Sequence, residues 1–591
     1  KMDFLGLRTL SIIRDTIDLV KKTRGIEVNI DDIPLDDKET YELFARGQTT
    51  AVFQFESAPM KEYLKKLHPE SIKDLAAMNA LYRPGPMENI NSFINRKFGR
   101  EKITYLHPSL ESILKETYGI IVYQEQVIQI ANKVAGMSLA EADILRRAMG
   151  KKDAAAMQEQ REKFVKGAVQ NNIDEKIAKE IFDLIDKFAS YGFNKSHAVA
   201  YSIVAYQTAY LKAHFLPEFL AANLTNEFGN PDKVTILLDD CRKLKVKVRP
   251  PDVNKPSAYF NVEDGEIIFG MSAIKNVGVN AVEEIIRARN ELGRDFTSIY
   301  DLCCNVDTRV VNKRVLEGLV LAGAFDSVSG SRAQNFAAIE SALEFGNKYQ
   351  SDKKKMANSL FGDATEEMEI PHPQLPDVPP WDDKTKLAKE REVLGLYLSD
   401  HPLSRYESEY RSFATVHLGE PETFKDGELV RAVGVITSMR TKIDKSGRQM
   451  AFFNLDDFTG SCECLMFSKV FAECSKYIYE ESTVLVKGKV ESSGDAIKLH
   501  VEEAFSLADA KKNLTKKLCI ELVSNKNDVE DVVKLKNTFE NYDGNIPVVV
   551  VVRQNGTRRN FFTDYKISLK DELIKEVSDI IGDENIFYLT Q

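Results

Sequence analysis

At 591 residues the chain is long enough for several domains of about 100–200 residues each, and 43% hydrophobic with 29% charged residues is the balance of a globular protein. A net charge of −10 argues against nucleic-acid binding over the whole surface, although local basic patches are compatible with it. Seven cysteines, an odd number, argue against a disulfide framework. A chain without a disulfide framework fits the reducing cytoplasm, where we expect this protein. No apolar run reaches the length of about 18 residues that a membrane span needs, so we expect no transmembrane helix and no membrane contact.

The first residues contain a lysine and a carboxylate. Lys1 and Asp3 would point to the same face of an extended strand, because side chains alternate along a strand. Such a pair could bind a magnesium ion and a triphosphate together. A surface ion pair or a helix cap is the alternative use of the same residues. The chain opens on lysine rather than methionine, so we also expect it to be truncated or processed.

Residues 10–240 have the periodicity of helices. Apolar residues recur at helical spacing from Val127 to Val134, and a second helical run from Ser202 to Phe215 ends before Pro217. Residues 82–86 read Tyr-Arg-Pro-Gly-Pro, which predicts a rigid loop.

Two segments of this helical region could bind a nucleotide. Four cations crowd into residues 146–152, and guanidinium forks with lysine charges suit a triphosphate. A solvated basic face would give the same pattern. Residues 188–197 place aromatic rings, a glycine, Lys195 and His197 in one turn before a helix, where free N–H groups and stacking rings suit a nucleotide. A structural turn with a satisfied histidine is the alternative there.

Residues 246–328 begin with short extended pieces and then turn helical. Residues 274–281 read as a loop between two amphipathic helices, which is typical of a helix-hairpin-helix whose glycine lets backbone amides approach a DNA phosphate. A second, weaker unit runs through Arg309 and Lys313 to Phe325. An ordinary helical hairpin without DNA contact would explain either unit equally simply.

Residues 347–385 have the composition of a linker. They contain three consecutive lysines, an acidic patch and five prolines before Trp381. Within them, Ser359, Leu360 and Phe361 include an apolar pair of the kind that docks into a groove on a partner protein.

Period-two alternation over residues 427–506 predicts a five-stranded barrel of the OB type, with a helical interruption at 468–478. Some of its phenylalanines could stack bases, although alternation sends others into the core. The predicted strands are Leu429–Ser438, Gln449–Asp456, Ser461–Phe467, Thr483–Glu491 and Ala496–Val501. The tail, residues 518–591, predicts a small α/β domain with strands at Cys519–Leu522 and Pro547–Val552.

Five motifs, in this order, resemble those of the alpha subunit of bacterial DNA polymerase III, a C-family replicative polymerase. They are KMDFLGLRTL at 1–10, LYRPGPM at 81–87, RRAMGKK at 146–152, YGFNKSHAVAY at 191–201 and LGLYLSDHPL at 394–403. The resemblance spans essentially the whole chain and implies the C-terminal half of such a polymerase, starting at the end of its palm. The implied fold is multidomain α+β: largely helical fingers, a helix-hairpin-helix region, an OB-fold β-barrel and a small C-terminal α/β domain.

The implied domains follow the chain in order. They are the end of the palm (1–10), the fingers (11–240), a duplex- and clamp-binding domain with the helix-hairpin-helix (241–346), a linker with a clamp-binding peptide (347–385), a connector (386–426), the OB fold (427–508) and a tau-binding-like domain (509–591).

The resemblance also implies roles for individual residues. Asp3 would be the third metal-binding carboxylate of a two-magnesium site, and Lys1 would contact the phosphates of the incoming nucleotide. The implied nucleotide-binding residues are Arg146, Arg147, Lys151, Lys152, Lys195 and His197. The implied DNA-binding residues are Lys275, Gly278, Arg309, Lys313 and Arg314, and the implied clamp-binding residues are Ser359, Leu360 and Phe361.

The implied substrates and partners are primed DNA, deoxynucleoside triphosphates, the beta sliding clamp and the tau subunit of the clamp loader. A proofreading exonuclease would bind only through a region upstream of this chain. Ala357 stands where the clamp-binding peptide usually has glutamine, so clamp affinity would be either reduced or held partly by other contacts. The other two catalytic aspartates would also lie upstream, so the chain alone is expected to bind primed DNA weakly and not to polymerise. A non-catalytic DNA-binding scaffold of the replication machinery is the alternative, and a lesion-bypass paralogue is a further one within the family.

Overall fold

The computed structural model describes residues 6–151, 154–189, 192–357, 371–395, 397–419, 424–493, 496–523, 529–554 and 557–590. The chain divides into two compact units, residues 1–226 and 227–591. Within the described ranges, no helix is long and apolar enough to cross a membrane.

The described part of the first unit is built from helices. They are α1 (Arg8–Arg24), α2 (Lys38–Ala45), α3 (Ala58–Leu67), α4 (Ile72–Leu81), α5 (Ile90–Lys97), α6 (Glu111–Leu114), α7 (Gln124–Ala135), α8 (Leu139–Lys151), α9 (Ala154–Gln170), α10 (Glu175–Ala189), α11 (Lys195–His214) and α12 (Leu216–Glu227). Several begin where the sequence provides a capping side chain: Asp37 accepts from the Thr40 N–H, and Ser71 accepts from the Asp74 N–H.

Two large hydrophobic cores and a smaller one, between α1, α11 and α12, stabilise this unit. The first surrounds Phe44 and Phe93 and includes Phe193 of the segment before α11. The second lies among α7–α10 and includes Phe188. The predicted apolar stripe of α7 is confirmed, because Val127, Ile130, Ala131 and Val134 are all fully buried there. Phe188 belongs to the second core and Phe193 to the first, so the chain changes core between them, next to another change of core at residues 119–123.

The second unit begins with a small sheet and a group of helices. Its elements up to the barrel are α13 (Pro231–Lys243), β1 (Val248–Arg249), β2 (Asn261–Glu263), β3 (Glu266–Ile268), α14 (Val279–Leu292), α15 (Ile299–Asn305), α16 (Lys313–Leu321), α17 (Arg332–Ala357), α18 (Asp383–Leu394) and α19 (Glu407–Phe413). The sheet has the order β1-β3-β2, with β1 parallel and β2 antiparallel to β3.

Two predictions for this region are wrong. The loop at 274–278 follows β3 and a 3-10 turn, Met271–Ala273, rather than an amphipathic helix. Strand β3 ends at Ile268, so only the Met271–Ala273 turn separates it from the loop, and this stretch is too short for an amphipathic helix. The segment predicted as a linker from residue 347 is helical to Ala357. Gln350 holds that last part of α17 in place by donating to the Val306 carbonyl at 2.7 Å.

The barrel confirms the predicted OB architecture. It consists of β4 (Leu429–Ile443), β5 (Gln449–Asp456), β6 (Ser461–Met466), α20 (Ser468–Cys474), β7 (Thr483–Ser493) and β8 (Ala496–Ser506), closed in the order β4-β5-β6-β8-β7. Side chains alternate between the two faces of each strand, and those on the inner face fill the barrel. Phe453 is therefore buried, while its neighbour Phe452 is half-buried on the outside.

The tail forms an α/β domain with a four-stranded sheet in the order β11-β10-β9-β12. Its elements are α21 (Leu507–Leu514), β9 (Lys517–Val523), α22 (Val529–Asn541), β10 (Asp543–Gln554), β11 (Thr557–Ile567), α23 (Asp571–Ile581) and β12 (Ile586–Leu589). Strands β9 and β10 are parallel neighbours, as a β-α-β connection through α22 requires.

Candidate functional site

Two segments that are far apart in sequence join where the chain crosses between the two large cores of the first unit. Tyr123 and Phe193 form an isolated parallel bridge. The Gln124 N–H donates to the Phe193 carbonyl at 2.8 Å, and the Gln124 side chain donates to the Gly192 carbonyl at 3.0 Å. The predicted nucleotide-binding turn is therefore fixed in place by the start of α7.

Gly192 is required for this junction. A Cβ at this position would lie 2.8 Å from the Phe188 ring and 3.2 Å from Cγ of Gln124. Contacts this short force neighbouring atoms to shift. A glycine is therefore what allows α10, α7 and the turn to meet at this point.

The N-terminus of α11 already has acceptors. The Lys195 N–H donates to the Glu125 carboxylate at 2.9 Å, and the His197 N–H donates to the Asn194 side chain at 2.9 Å. The expectation of free N–H groups at this turn is wrong for these two residues. Glu125 lies on the first turn of α7 and supplies the negative charge that the positive end of α11 favours.

The Lys195 side chain has a carboxylate partner as well. Its Nζ lies 2.9 Å from Glu116 and 5.5 Å from the centre of the Tyr123 ring. A phosphate that approached Lys195 would have to compete with Glu116 for it. The pair is partly exposed, and such pairs are weak, so an exchange of partners would cost little.

His197 lies on a platform of aromatic rings. Its ring centroid is 4.1 Å from that of Tyr201 and 5.4 Å from that of Phe193. The residue is exposed, so its ring nitrogens are available to a ligand. Tyr201 in turn contacts Phe53 at 5.2 Å, which ties the platform to the first core.

Arg83 lies next to this platform and extends the line of the His197 and Phe193 rings into a row. It belongs to the Pro-Gly loop. The centre of its guanidinium lies 3.9 Å from the centroid of the Phe193 ring, close enough for a cation–π contact. Partial burial lowers the pKa of Arg83, but arginine stays charged at neutral pH. No described residue forms an ion pair with it. The sequence predicted only a rigid loop here, although an arginine directly before Pro-Gly-Pro was a usable signal.

Arg146 and Arg147 lie on α8 and share one acid. Each approaches the Asp143 carboxylate to 2.8 Å, and the bond from Arg146 is the main cause that lowers the pKa of Asp143. Described contacts do not join these arginines to Lys195 or His197. Lys151 is the last residue of α8, while Lys152, Lys1 and Asp3 lie outside the described residues.

The predicted DNA-binding residues of the second unit lie on two adjacent turns. Lys275 and Gly278 are exposed at the start of α14, and a Cβ at Gly278 would meet nothing within 4 Å. A Cβ at Gly318 of α16 would lie 2.8 Å from the Lys275 carbonyl oxygen, so α16 packs directly against the first turn. Open space in front of Gly278 leaves room for a phosphate.

The cations of the second turn differ in their partners. Arg309 binds Asp307 at 2.6 Å and lowers the pKa of that carboxyl to about 2, while Lys313 binds Glu340 at 2.5 Å. Arg314 is exposed and has no acidic partner in the described chain. The predicted clamp-binding residues Ser359, Leu360 and Phe361 lie outside the described residues.

The barrel presents further aromatic and basic groups outside its core. Phe452 lies beneath Arg440, at 5.1 Å, and Phe467 is 52% exposed. Lys487 and Lys489 on the barrel could hold phosphates, but they pair with Glu503 and Glu502.

Comparison with known families locates three domains on this chain. The model described as the bacterial DNA polymerase III alpha subunit finger domain matches residues 9–172. A helix-hairpin-helix motif matches residues 245–335, and an OB-fold nucleic acid binding domain matches residues 430–507.

Similarity to curated proteins extends over the whole chain. DNA polymerase III subunit alpha is 38% identical in Haemophilus influenzae, 37% in Escherichia coli K12 and 38% in Halalkalibacterium halodurans, over 99–100% of this chain. The chain belongs to the bacterial DNA polymerase III alpha-subunit family. It spans about half the length of these relatives, 52% of each. The resemblance predicted from the motifs is therefore confirmed, together with the fingers, helix-hairpin-helix and OB domains of the predicted fold.

Proposed function

We propose that this chain supplies the nucleotide- and DNA-binding part of a replicative polymerase that adds deoxynucleotides to a primer 3′ end. One observation supports the proposal most strongly. Arg83, Phe193 and His197 come from two family-like motifs more than a hundred residues apart, yet they form one continuous row of cation and rings. A row of this kind suits a ligand with both phosphates and a planar base.

The nucleotide would bind through exchange of ion-pair partners. Arg146 and Arg147 share a single carboxylate, Asp143, so a triphosphate would offer them more negative charge than they now have. Lys195 would exchange Glu116 for phosphate in the same way. Arg83 and His197 need no exchange, because neither pairs with an acid among the described residues. Lys151, the last residue of α8, and Lys152, which lies outside the described residues, would assist.

The duplex would bind to the second unit through its backbone. Lys275, Gly278 and Arg314 are the exposed, open positions of the two adjacent turns, and contacts there would be independent of sequence. Arg309 and Lys313 would contribute after release from Asp307 and Glu340. Phe452 and Phe467 would stack bases of single-stranded template on the barrel.

Magnesium is the implied cofactor, and Asp3 is its one expected ligand in this chain. Asp3 lies outside the described residues. Over the described ranges, no group of three His, Cys, Asp or Glu side chains is placed to hold a metal ion. These residues therefore do not form a metal site by themselves, and the roles proposed for them are limited to holding nucleotide and DNA.

The proposed protein partners are the sliding clamp, through Leu360 and Phe361, and the tau subunit, through the tail. The tail offers large exposed apolar side chains, with Val529 at 79% and Phe562 at 78% exposure. Exposed apolar surface of this kind is typical of a protein interface. A proofreading exonuclease would require a region that relatives have and this chain does not cover.

Steady-state primer extension tests the nucleotide site. The protein is extended to the length of its relatives, and Arg146→Ala/Arg147→Ala is compared with Lys163→Ala/Lys179→Ala, which removes two surface lysines paired within their own helices. We expect the arginine variant to raise KM for nucleotide and lower kcat, and the lysine variant to match the unsubstituted protein. Loss of duplex binding with unchanged nucleotide KM would refute the assignment of the arginines.

A further inference from the structure

A cavity of about 300 Å³ opens at one end of the barrel. It is formed where α18, the segment before α19, the start of β7 and the start of α21 meet. The lining residues that matter here are Lys384, Arg405, Tyr406, Tyr479, Glu481 and Ala508. None of them belongs to the sites described above.

The lining carries an excess of positive charge. Lys384 and Arg405 are exposed and form no ion pair with any described residue. Glu481 is the one carboxylate of the lining, and both of its oxygens are engaged: Oε1 accepts from Arg391 at 2.5 Å, and Oε2 accepts from the Tyr397 hydroxyl. Two cations therefore face the cavity against a carboxylate that is already neutralised.

One further acid lies close to these cations. The charges of Arg405 and Lys384 help to lower the pKa of Asp382, although its bonds to Thr385 are the larger causes. Asp382 caps α18 by accepting from the Thr385 N–H at 2.8 Å. Because its carboxylate is held at the helix start, the two cations remain available for a ligand.

The remaining lining suits the other parts of a small ligand. Tyr479 is 53% exposed and offers ring surface, while the half-buried Tyr406 has the Arg405 guanidinium 5.4 Å from its ring centre. Ala508 lies in the first turn of α21, where the Ser506 side chain accepts from the Asp509 N–H at 3.1 Å and the other first-turn N–H groups lack partners within the helix.

The cavity is distant from the part of the barrel that would stack bases. Thr483 pairs with Val435, and Ser506 pairs with Val484, so these residues mark the cavity end of the strands. The strand pairs Ile443–Gln449 and Ser493–Ala496 lie at the opposite end. Phe452 pairs with Arg440 and Leu465 toward that end. A nucleic-acid strand on that face would not need the cavity.

We propose that this cavity binds a mononucleotide, with its phosphate on Lys384 and Arg405 and its base against a tyrosine ring. The volume lies at the lower end of the range of about 300–1,000 Å³ that is usual for small-molecule sites, which favours one nucleotide unit over a polymer. The inference does not depend on the proposed polymerase role, because the cavity uses none of the same residues.

The test is isothermal titration of the chain with dAMP, adenosine and the oligonucleotide dT12. Lys384→Ala/Arg405→Ala should weaken dAMP binding by about tenfold or more, since it removes two charged contacts. Ala508→Glu should abolish binding without loss of thermal stability, because an acidic residue is favourable in a first helical turn. Lys386→Ala/Arg448→Ala removes the same charge outside the cavity and should bind dAMP as the unsubstituted chain does.

Several results would overturn the proposal. These are no dAMP binding by the unsubstituted chain, equal dAMP binding by the cavity variants, and adenosine binding as tight as dAMP, which would show that phosphate is not recognised. Loss of dT12 binding in the cavity variants with dAMP binding intact would assign the cations to nucleic acid instead. Arg146→Ala/Arg147→Ala serves as a reference for any nucleotide bound in the first unit, and dAMP binding lost only in that variant would also contradict the proposal.

Discussion

Replacement of Arg83 by alanine would remove the guanidinium that lies 3.9 Å from the Phe193 ring centroid. Folding should change little, because the side chain is exposed and has no ion pair with a described residue. The free energy of unfolding should fall by about 0.5–1 kcal/mol, the contribution of an exposed cation–π contact. The effect on activity should be larger if Arg83 contacts a triphosphate.

The size of that effect follows from the chemistry of the contact. A hydrogen bond between charged groups contributes about 1.5–3 kcal/mol. That free energy corresponds to a loss of about 10- to 150-fold in kcat/KM for nucleotide. Arg83→Lys should recover part of it, since lysine keeps the charge and loses the planar fork.

The assay is primer extension at varied nucleotide concentration, with the protein extended to the length of its relatives. Arg100→Ala is the matched control, because Arg100 also lies over a phenylalanine ring, at 5.0 Å from that of Phe98. Phe193→Leu tests the ring while the arginine stays. An unchanged kcat/KM in Arg83→Ala, or an equal loss in Arg100→Ala, would refute the role of Arg83.

Three further predictions concern the second unit. Lys275→Ala should weaken duplex binding, measured by fluorescence anisotropy. The slope of the logarithm of the binding constant against the logarithm of the salt concentration should become about one unit less steep. Lys348→Ala is the control and should leave this slope unchanged. Arg332→Ala leaves Glu390, which is 1% exposed, without its 2.9 Å ion pair. The free energy of unfolding, measured in urea, should fall by about 3–5 kcal/mol because a buried carboxylate loses its partner. Burial raises the pKa of the Asp456 carboxyl to about 6, above its ordinary value. Above that pH the folded protein must hold a buried carboxylate, which lowers the free energy of unfolding. This loss of stability disappears near pH 4, where the carboxyl is protonated in the folded protein. Asp456→Asn should therefore raise the unfolding free energy by about 1–3 kcal/mol at pH 8 and change it little near pH 4.

The barrel was predictable because its signal is local. Strands of this length alternate strictly when one face is buried, so β5 was predicted to the residue and β6 to within one. The tail was harder. Strand β11 is an edge strand whose successive residues Phe561 and Phe562 are both exposed, so its sequence does not alternate. Strand β12 has four residues, too few for a pattern.

The residue types of the candidate site were predictable from the sequence, but the hydrogen-bond and ion-pair partners of these residues were not. Composition and motif order identified Lys195 and His197, but no local pattern indicates that the Lys195 N–H meets Glu125, seventy positions away. For the same reason the sequence did not indicate Arg83, because its proposed role depends on its contact with the distant Phe193. Pairing of cations with acids is a tertiary property, and it decides which of them are available to a ligand.

Primer extension with Mg2+ and all four deoxynucleotides tests the proposed function most directly, comparing this chain with the protein extended upstream to the length of its relatives. We predict that the extended protein lengthens the primer and that this chain alone binds primed DNA weakly without extending it. If neither protein extends the primer while both bind DNA and clamp, the chain is a scaffold of the replication machinery and the proposed nucleotide site is wrong.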